Sequence, residues 1–493
     1  MNKSFVFAVF AMTVSLLSAE DMALSGDYTV TVASGSTETI SDKVTGSGRI
    51  ILLGGGTLVL NNSANDFTGG VIVSNGVLRA DASGAFGTGP ISLEGTAQIR
   101  TVQFNANIGV FNNAITLKDI GTSAANPAIH VSKYAQLNGR VSADASVASV
   151  TDTAKRYFYI RLGSSSDDKD VEMLNLKNEL DVGSASLYVI GWSRAYFREK
   201  VTANSFYLGN NSSNCGTVSL YKSENQINRV VLGSFDIQCQ ADNVLRGATV
   251  TFNFDSQWWA NGHCIIYVNG FNQTFSDINS KYVLSEQGSN VKPNDFGIGI
   301  VNYTQNPSLI TVNGEKSNEN GIYTDSYIRF SGGPISVHVE KTMPYAFYQR
   351  FGYRNNVNVG DLSVAAGNLE FRNNVVFTAV TNLNITGGAA HFNVSTNSMP
   401  ALKRMTVSNG KLVCKSVNFN AFGEGTADMH LRGAAVLAFE NGATNTVRKL
   451  YVNGEYMPAG TYTKANLPAM EPSGDTGALV VLRGRSGGFM IVR

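Results

Sequence analysis

The chain has 493 residues, of which 15% are charged, and its formal net charge is +1. No broad basic field is available to hold nucleic acid or an anionic membrane, and a hydrophobic content of 43% excludes a disordered chain. Fifty glycines against ten prolines suit many short strands joined by turns, with glycine and asparagine supplying positive φ angles at the corners.

The first segment has a single basic residue, Lys3, then an apolar run over residues 5–17, then Leu17-Ser18-Ala19. That order predicts a secretory signal peptide over residues 1–19, cleaved between Ala19 and Glu20. The run is shorter than the roughly 20 apolar residues that a spanning helix needs. No later segment is long enough either, so no membrane span is expected in the mature chain.

From residue 27 onward the pattern is four to six residues of alternation followed by a turn: "YTVTVASG", "RIILLGGG", "TLVLNN", "VIVSNG", "PISLEG". Many short strands at even spacing predict a sandwich, a barrel or a solenoid, and repetition decides among them. "VSNGVL" at residues 73–78 returns as "VSNGKL" at 407–412. Apolar-Gly pairs recur at Leu162-Gly163, Ile190-Gly191, Leu208-Gly209 and Leu232-Gly233, a mean interval of about 23 residues, the coil length of parallel β-solenoids. Clear helical stripes are absent. Residues 168–180 alternate and are read as strand.

The candidate sites follow in chain order. "SSSDDKD" places Asp167, Asp168 and Asp170 in one serine-rich turn. Carboxylates of this kind suit calcium, and they equally suit a solvated loop, so no metal site is assigned. Cys215 and Cys239 each follow their Leu-Gly pair by seven residues. Equivalent positions on adjacent coils lie about 4.8 Å apart, inside the usual Cα range of a disulfide. A bridge between them and a ladder of reduced, buried thiols both fit. "SQWWANGHC" carries Trp258 and Trp259. Adjacent residues on a strand face opposite ways, which leaves one indole free to meet a sugar ring. Packing of both at a coil corner fits the same residues. "YQRFGYRNN" at 348–356 mixes arginine and aromatic residues, yet a neutral, exported chain is a poor nucleic-acid partner. Near the end, Asn453-Gly454 sits between two alternating runs, which predicts a type I′ hairpin. It is read, with "ALVVL", as a cap on the open end of the solenoid, since an unpaired edge invites aggregation.

One stretch is specific. Gly56-Thr57-Leu58-Val59-Leu60, then Asn65-Asp66-Phe67-Thr68-Gly69-Gly70, then Asn75-Gly76-Val77-Leu78 resembles the autotransporter-associated β-strand repeat, also called the passenger-associated transport repeat. The continuation over residues 84–93 fits the same pattern, so the best match is 54–93. The resemblance implies a right-handed parallel β-helix in an exported bacterial protein, adhesin-like and dependent on export machinery. No series of lipid-facing barrel strands closing on an aromatic residue is visible, and transport by a barrel of its own is not expected.

The expected fold is therefore all-β: a right-handed parallel β-helix over residues 20–440, with a C-terminal hairpin cap and tail over 441–493. About twenty coils would span roughly 95 Å. No paired carboxylates of a glycosidase, no nucleophile motif and no phosphate-binding loop are found, so neither catalytic residues nor a cofactor are assigned. The expected function is structural or adhesive, at the cell surface, in the periplasm or outside the cell, with polysaccharide or surface components as partners. The alternative is a β-helical polysaccharide lyase or hydrolase.

Overall fold

The computed structural model describes residues 21–119, 121–149, 156–163, 172–209, 216–252, 263–280, 297–313, 329–340, 348–351, 359–371, 377, 379–392, 399–415, 422, 425–471 and 477–483. The expected signal peptide and its Ala19–Glu20 cleavage site lie outside them, as do Asp167, Asp168, Asp170, Cys215, Trp258 and Trp259.

The protein is a parallel β-solenoid. Among the described residues one parallel ladder links eighteen strands without a break, from Asp27–Thr31 to Lys449–Val452. A second runs from Ile108–Phe111 through Arg194–Phe197 to Arg329–Gly332. A third runs from Tyr348–Phe351 to Val436–Phe439. Strand alternation sends every second side chain inward. The inward row Val30, Leu52, Val73, Leu93, Leu117 is in strict register and fully buried, and so is Leu362, Leu383, Met405, Met429, Leu450 far along the rod. Each such side chain contributes on the order of 2 kcal/mol of apolar burial. The core is thus one continuous column, in which Phe86, Phe104 and Phe111 meet at ring separations of 4.7–5.8 Å.

The corners are built from a few residue types. Asn65 is buried; its Oδ1 accepts from Val44 N–H at 2.8 Å and its Nδ2 donates to Ala85 C=O at 2.7 Å. One side chain thereby ties three successive coils and satisfies backbone groups that a turn would otherwise leave unpaired. Asn225 repeats the arrangement with Val201 N–H and Val244 C=O. Phe67 fills the core two residues after Asn65. A Cβ at Gly69 would strike the Gly48 carbonyl, and Gly70 (φ +79°) lies under the Pro90 carbonyl, so this corner has no room for a side chain. The fully buried Arg100 solves the same problem with a guanidinium, donating to the carbonyls of Ala97, Leu93, Lys118 and Gly121.

The apolar-Gly register holds in part. Leu208 stacks on Leu232 as expected. Leu162, however, lies opposite Gly191, and Val189 opposite Leu208. The Ile190-Gly191 pair is out by one residue because Ile190 falls in the outward row, opposite Arg161, while Val189 and Gly191 take the inward positions. The cysteine alignment also needs correction. Leu220, not a cysteine, is the ladder partner of Cys239, and Gly216 faces Phe235. Cys239 and Cys414 are buried free thiols and Cys264 is buried in the same core, and burial pushes the Cys239 and Cys414 thiols well up from their usual range.

The cap is present. Asn453 (φ 52°) and Gly454 (φ 91°) are both left-handed, as a type I′ turn requires, and join Lys449–Val452 to the antiparallel Glu455–Tyr456. Beyond it, Gly460–Tyr462 pairs antiparallel with Ala478–Val481, which continues the solenoid beside Thr444–Val447. The intervening chain lies along the edge of Val436–Phe439: Leu437 N–H donates to Ala469 C=O and Glu471 N–H to Leu437 C=O. Leu467 and Met470 are buried there, and Lys411 meets Glu471 at 2.7 Å. No helix among the described residues is long and apolar enough to cross a membrane.

Candidate binding surface

With the inward rows committed to the core, any chemistry belongs to the outward rows and turns. Among the described residues, the aromatic groupings there include three in the middle of the chain. In the first, Tyr159, Tyr188 and Tyr207 share one outward row on successive strands. Their rings stack at 4.4 Å and 4.3 Å, inclined by 17° and 6°. Tyr157 packs edge-on against Tyr159 and Tyr188. Burial, then the neighbouring phenols, push the Tyr159 hydroxyl up to about 12 and that of Tyr188 higher still, so both stay neutral. The faces of these rings are spent on each other, and the ladder offers a row of edges and hydroxyls. It braces the sheet and is a poor seat for a flat ligand.

In the second grouping Arg198 lies 4.0 Å from the Tyr221 ring centre and 5.0 Å from that of Tyr196, a cation–π clamp between adjacent coils. Its charge and both rings are engaged.

The third differs. Tyr267 closes the strand His263–Tyr267, and Tyr303 follows the strand Gly297–Asn302 one coil on. The rings stack at 5.1 Å and 23°, yet Tyr303 is 71% exposed. One of its faces rests on Tyr267 and the other is open. The turn beneath is fixed: buried Asn302 accepts from Thr304 N–H and donates to the carbonyls of Asn306 and Pro334. Asp236 stands beside the pair, accepting from Tyr267 Oη at 3.4 Å and from Ile265 N–H at 2.8 Å. Burial and the Asp236 charge push the Tyr267 hydroxyl far up. Exposed Asn306, whose carbonyl accepts from Asn302, belongs to the same turn. The result is an open aromatic face on a braced turn, with polar partners at its rim, the arrangement by which proteins hold a sugar ring or another flat amphipathic group.

Of the residues singled out by sequence, Trp258 and Trp259 precede the Tyr267 strand in the chain but lie outside the described residues, and Cys239 is a core residue. Tyr267 and Tyr303 were not singled out. "IIYVNG" and "VNYTQNP" each place a tyrosine at the end of an apolar run, and only the register shows that the two meet. Among the described residues no group of three or more His, Cys, Asp or Glu side chains gathers to hold a metal.

The comparisons agree with this architecture. Residues 45–80 match the passenger-associated-transport-repeat family, from the strand Val44–Gly46 to the end of Gly76–Ala80, and so include Asn65, Phe67, Gly69 and Gly70. The chain is also 48% identical over 73 residues to the Adhesin BmaC autotransporter of Brucella suis biovar 1 (strain 1330), a stretch that is 15% of this chain and 2% of that protein. No solved structure matches. The chain therefore carries an autotransporter-associated repeat, the passenger-associated transport repeat, at residues 45–80 of its solenoid.

Proposed function

We propose that the chain is an adhesin-like passenger module, an exported and non-enzymatic rod that presents side chains to glycans at the cell surface or in the extracellular space. The open face of Tyr303 is the observation that carries this reading. It is an aromatic surface held rigidly toward solvent on a braced turn, whereas the rings of Tyr159, Tyr188 and Tyr207 are turned on one another. The transport repeat and the adhesin named above support the export and adhesive parts. In this reading residues 1–19 direct export and are removed before Glu20, residues 20–440 form the rod, and 441–493 close it.

The test is a glycan panel scored at once for binding and for new chain ends. The wild-type chain is expected to bind at least one glycan without cutting it, and Tyr303→Ala to lower that affinity about tenfold with an unchanged thermal midpoint. New chain ends would replace this reading with a β-helical carbohydrate-active enzyme. Binding indifferent to Tyr303→Ala would remove the platform from it.

A further inference from the structure

A second outward surface lies near the capped end. His338, Ser363, Asn384, Thr406, His430 and Tyr451 occupy one outward row on six successive strands. All are half-buried, and His338 Nδ1 is 2.6 Å from Ser363 Oγ. The row is a line of hydrogen-bonding groups repeating at the strand spacing of about 4.8 Å. At its end the His430 ring lies flat on Tyr451, 4.5 Å and 2° apart, and Tyr451 packs on Tyr456. Burial, then the charge of Arg404, lower the basicity of His430.

Cations flank this end. The neighbouring row on one side is Arg404, Asp428, Lys449, and Arg432 lies on the other side, opposite Ser408. Asp428 is already neutralised by Arg448, which grips both its oxygens at 2.7 Å and 2.8 Å. Arg404 and Arg432 are exposed, and among the described residues neither has a carboxylate within ion-pairing distance. Lys449 Nζ stands 5.7 Å from the Tyr456 ring. Among the described residues, the other carboxylates beside these rows are Glu455 on the hairpin and, at the far end, Asp361, bonded by Thr381 and Asn382, and Glu340 beside His338.

We propose that this strip binds an acidic polysaccharide, its chain lying along the solenoid axis with carboxylate or sulfate groups on Arg404, Arg432 and Lys449 and sugar hydroxyls on the polar row. The proposal deepens the glycan-binding reading, though at a different place from Tyr303. Charge complementarity selects an anionic polymer. A single-stranded nucleic acid is the other such polymer, but it needs aromatic faces on which bases stack, and here the rings of His430 and Tyr451 cover each other. Hydroxyl and amide groups at coil spacing suit a saccharide instead.

The experiment measures binding of the full chain to polygalacturonate and heparin, with dextran and oligo-dT as controls, across a salt series. The wild type is expected to prefer the acidic polysaccharides, with an affinity that falls as salt rises. Replacing both exposed arginines (R404Q/R432Q) is expected to lower that affinity about tenfold, to flatten the salt dependence and to leave the thermal midpoint unchanged. Tyr303→Ala should leave it intact. Binding no better than to dextran overturns the proposal, and so does an unaltered double variant. Tighter binding to oligo-dT replaces it with a nucleic-acid strip. Loss of acidic-polymer binding in Tyr303→Ala alone assigns that binding to the tyrosine platform and overturns the strip, whereas loss in the double variant alone keeps the strip even if the platform binds nothing.

Discussion

Asn65 shows what a single residue does in this rod. It donates to one neighbouring coil and accepts from the other, so Asn65→Ala strands Val44 N–H and Ala85 C=O in the interior. The expected cost is about 2–4 kcal/mol, read from the denaturant midpoint, and a shift below 1 kcal/mol would show that water or a relaxed turn satisfies both groups. Gly70 and Gly454 separate crowding from backbone strain. Both have positive φ, but an added Cβ meets the Pro90 carbonyl at Gly70 and nothing within 4 Å at Gly454. Gly70→Ala should therefore destabilise well beyond the ~1 kcal/mol expected for Gly454→Ala, and equal losses would contradict the stacking. His130 carries a pH signature. It sits in an outward row between Gln103 and Arg161, its Nε2 is buried without a partner, and burial, then the Arg161 charge, pull its pKa from 6.5 to about 4. Between these values the unfolded chain binds a proton that the folded chain refuses. The folded state therefore has this contribution in full above pH ~6.5 and loses up to about 3 kcal/mol as pH falls toward 4. His130→Gln should flatten that part of the stability profile, and an NMR titration of His130 near 6.5 would refute the assignment. The Asn65 corner was legible because each residue of its pattern answers a local demand. Asn225 does the same work without a flanking glycine pair, and only its bonds identify it.

Among the elements, the C-terminal hairpin was the most legible, since Asn-Gly between alternating runs encodes its own turn. Lateral stacking was less so. In Leu208-Gly209 and Leu232-Gly233 the residue before the glycine takes the inward position on both strands, so the 24-residue step between them is readable. In Ile190-Gly191 that residue falls in the outward row, opposite Arg161, which spacing alone does not reveal. Cys239 shows the limit: equal spacing from a glycine pair suggested another cysteine as neighbour, and the ladder supplies Leu220. The tyrosine platform was unreadable for a related reason. Tyr267 and Tyr303 are 36 residues apart in sequence, longer than the average coil, so no period joins them. The cap can be tested as an element. Leu467 and Met470 hold it on the edge of Val436–Phe439, and replacing both by Asp should release it. Light scattering is then expected to show concentration-dependent association with a retained β-type circular dichroism spectrum. A monomeric variant would mean that the edge is protected by other means.

For the whole molecule, seventeen steps of about 4.8 Å along the longest ladder give roughly 80 Å from first strand to last, somewhat short of the length expected from twenty coils. Small-angle scattering should report a rod of that order, and the pair-distance curve of a compact sphere would be incompatible with it. The shortfall arises because coils differ in perimeter. Val71 and Ile91 are stacked partners 20 residues apart, whereas Val141 and Leu180 are stacked partners 39 residues apart; both pairs advance the rod by one strand spacing. Backbone hydrogen bonds set the pitch, and the turns absorb whatever sequence lies between. The number of residues encoded and the distance reached are consequently uncoupled. A peptide spliced into the short helix Ala145–Ser149, between two ladder strands, would widen one coil and leave the rod no longer. Such a molecule can exchange what it displays to the outside while keeping its reach constant.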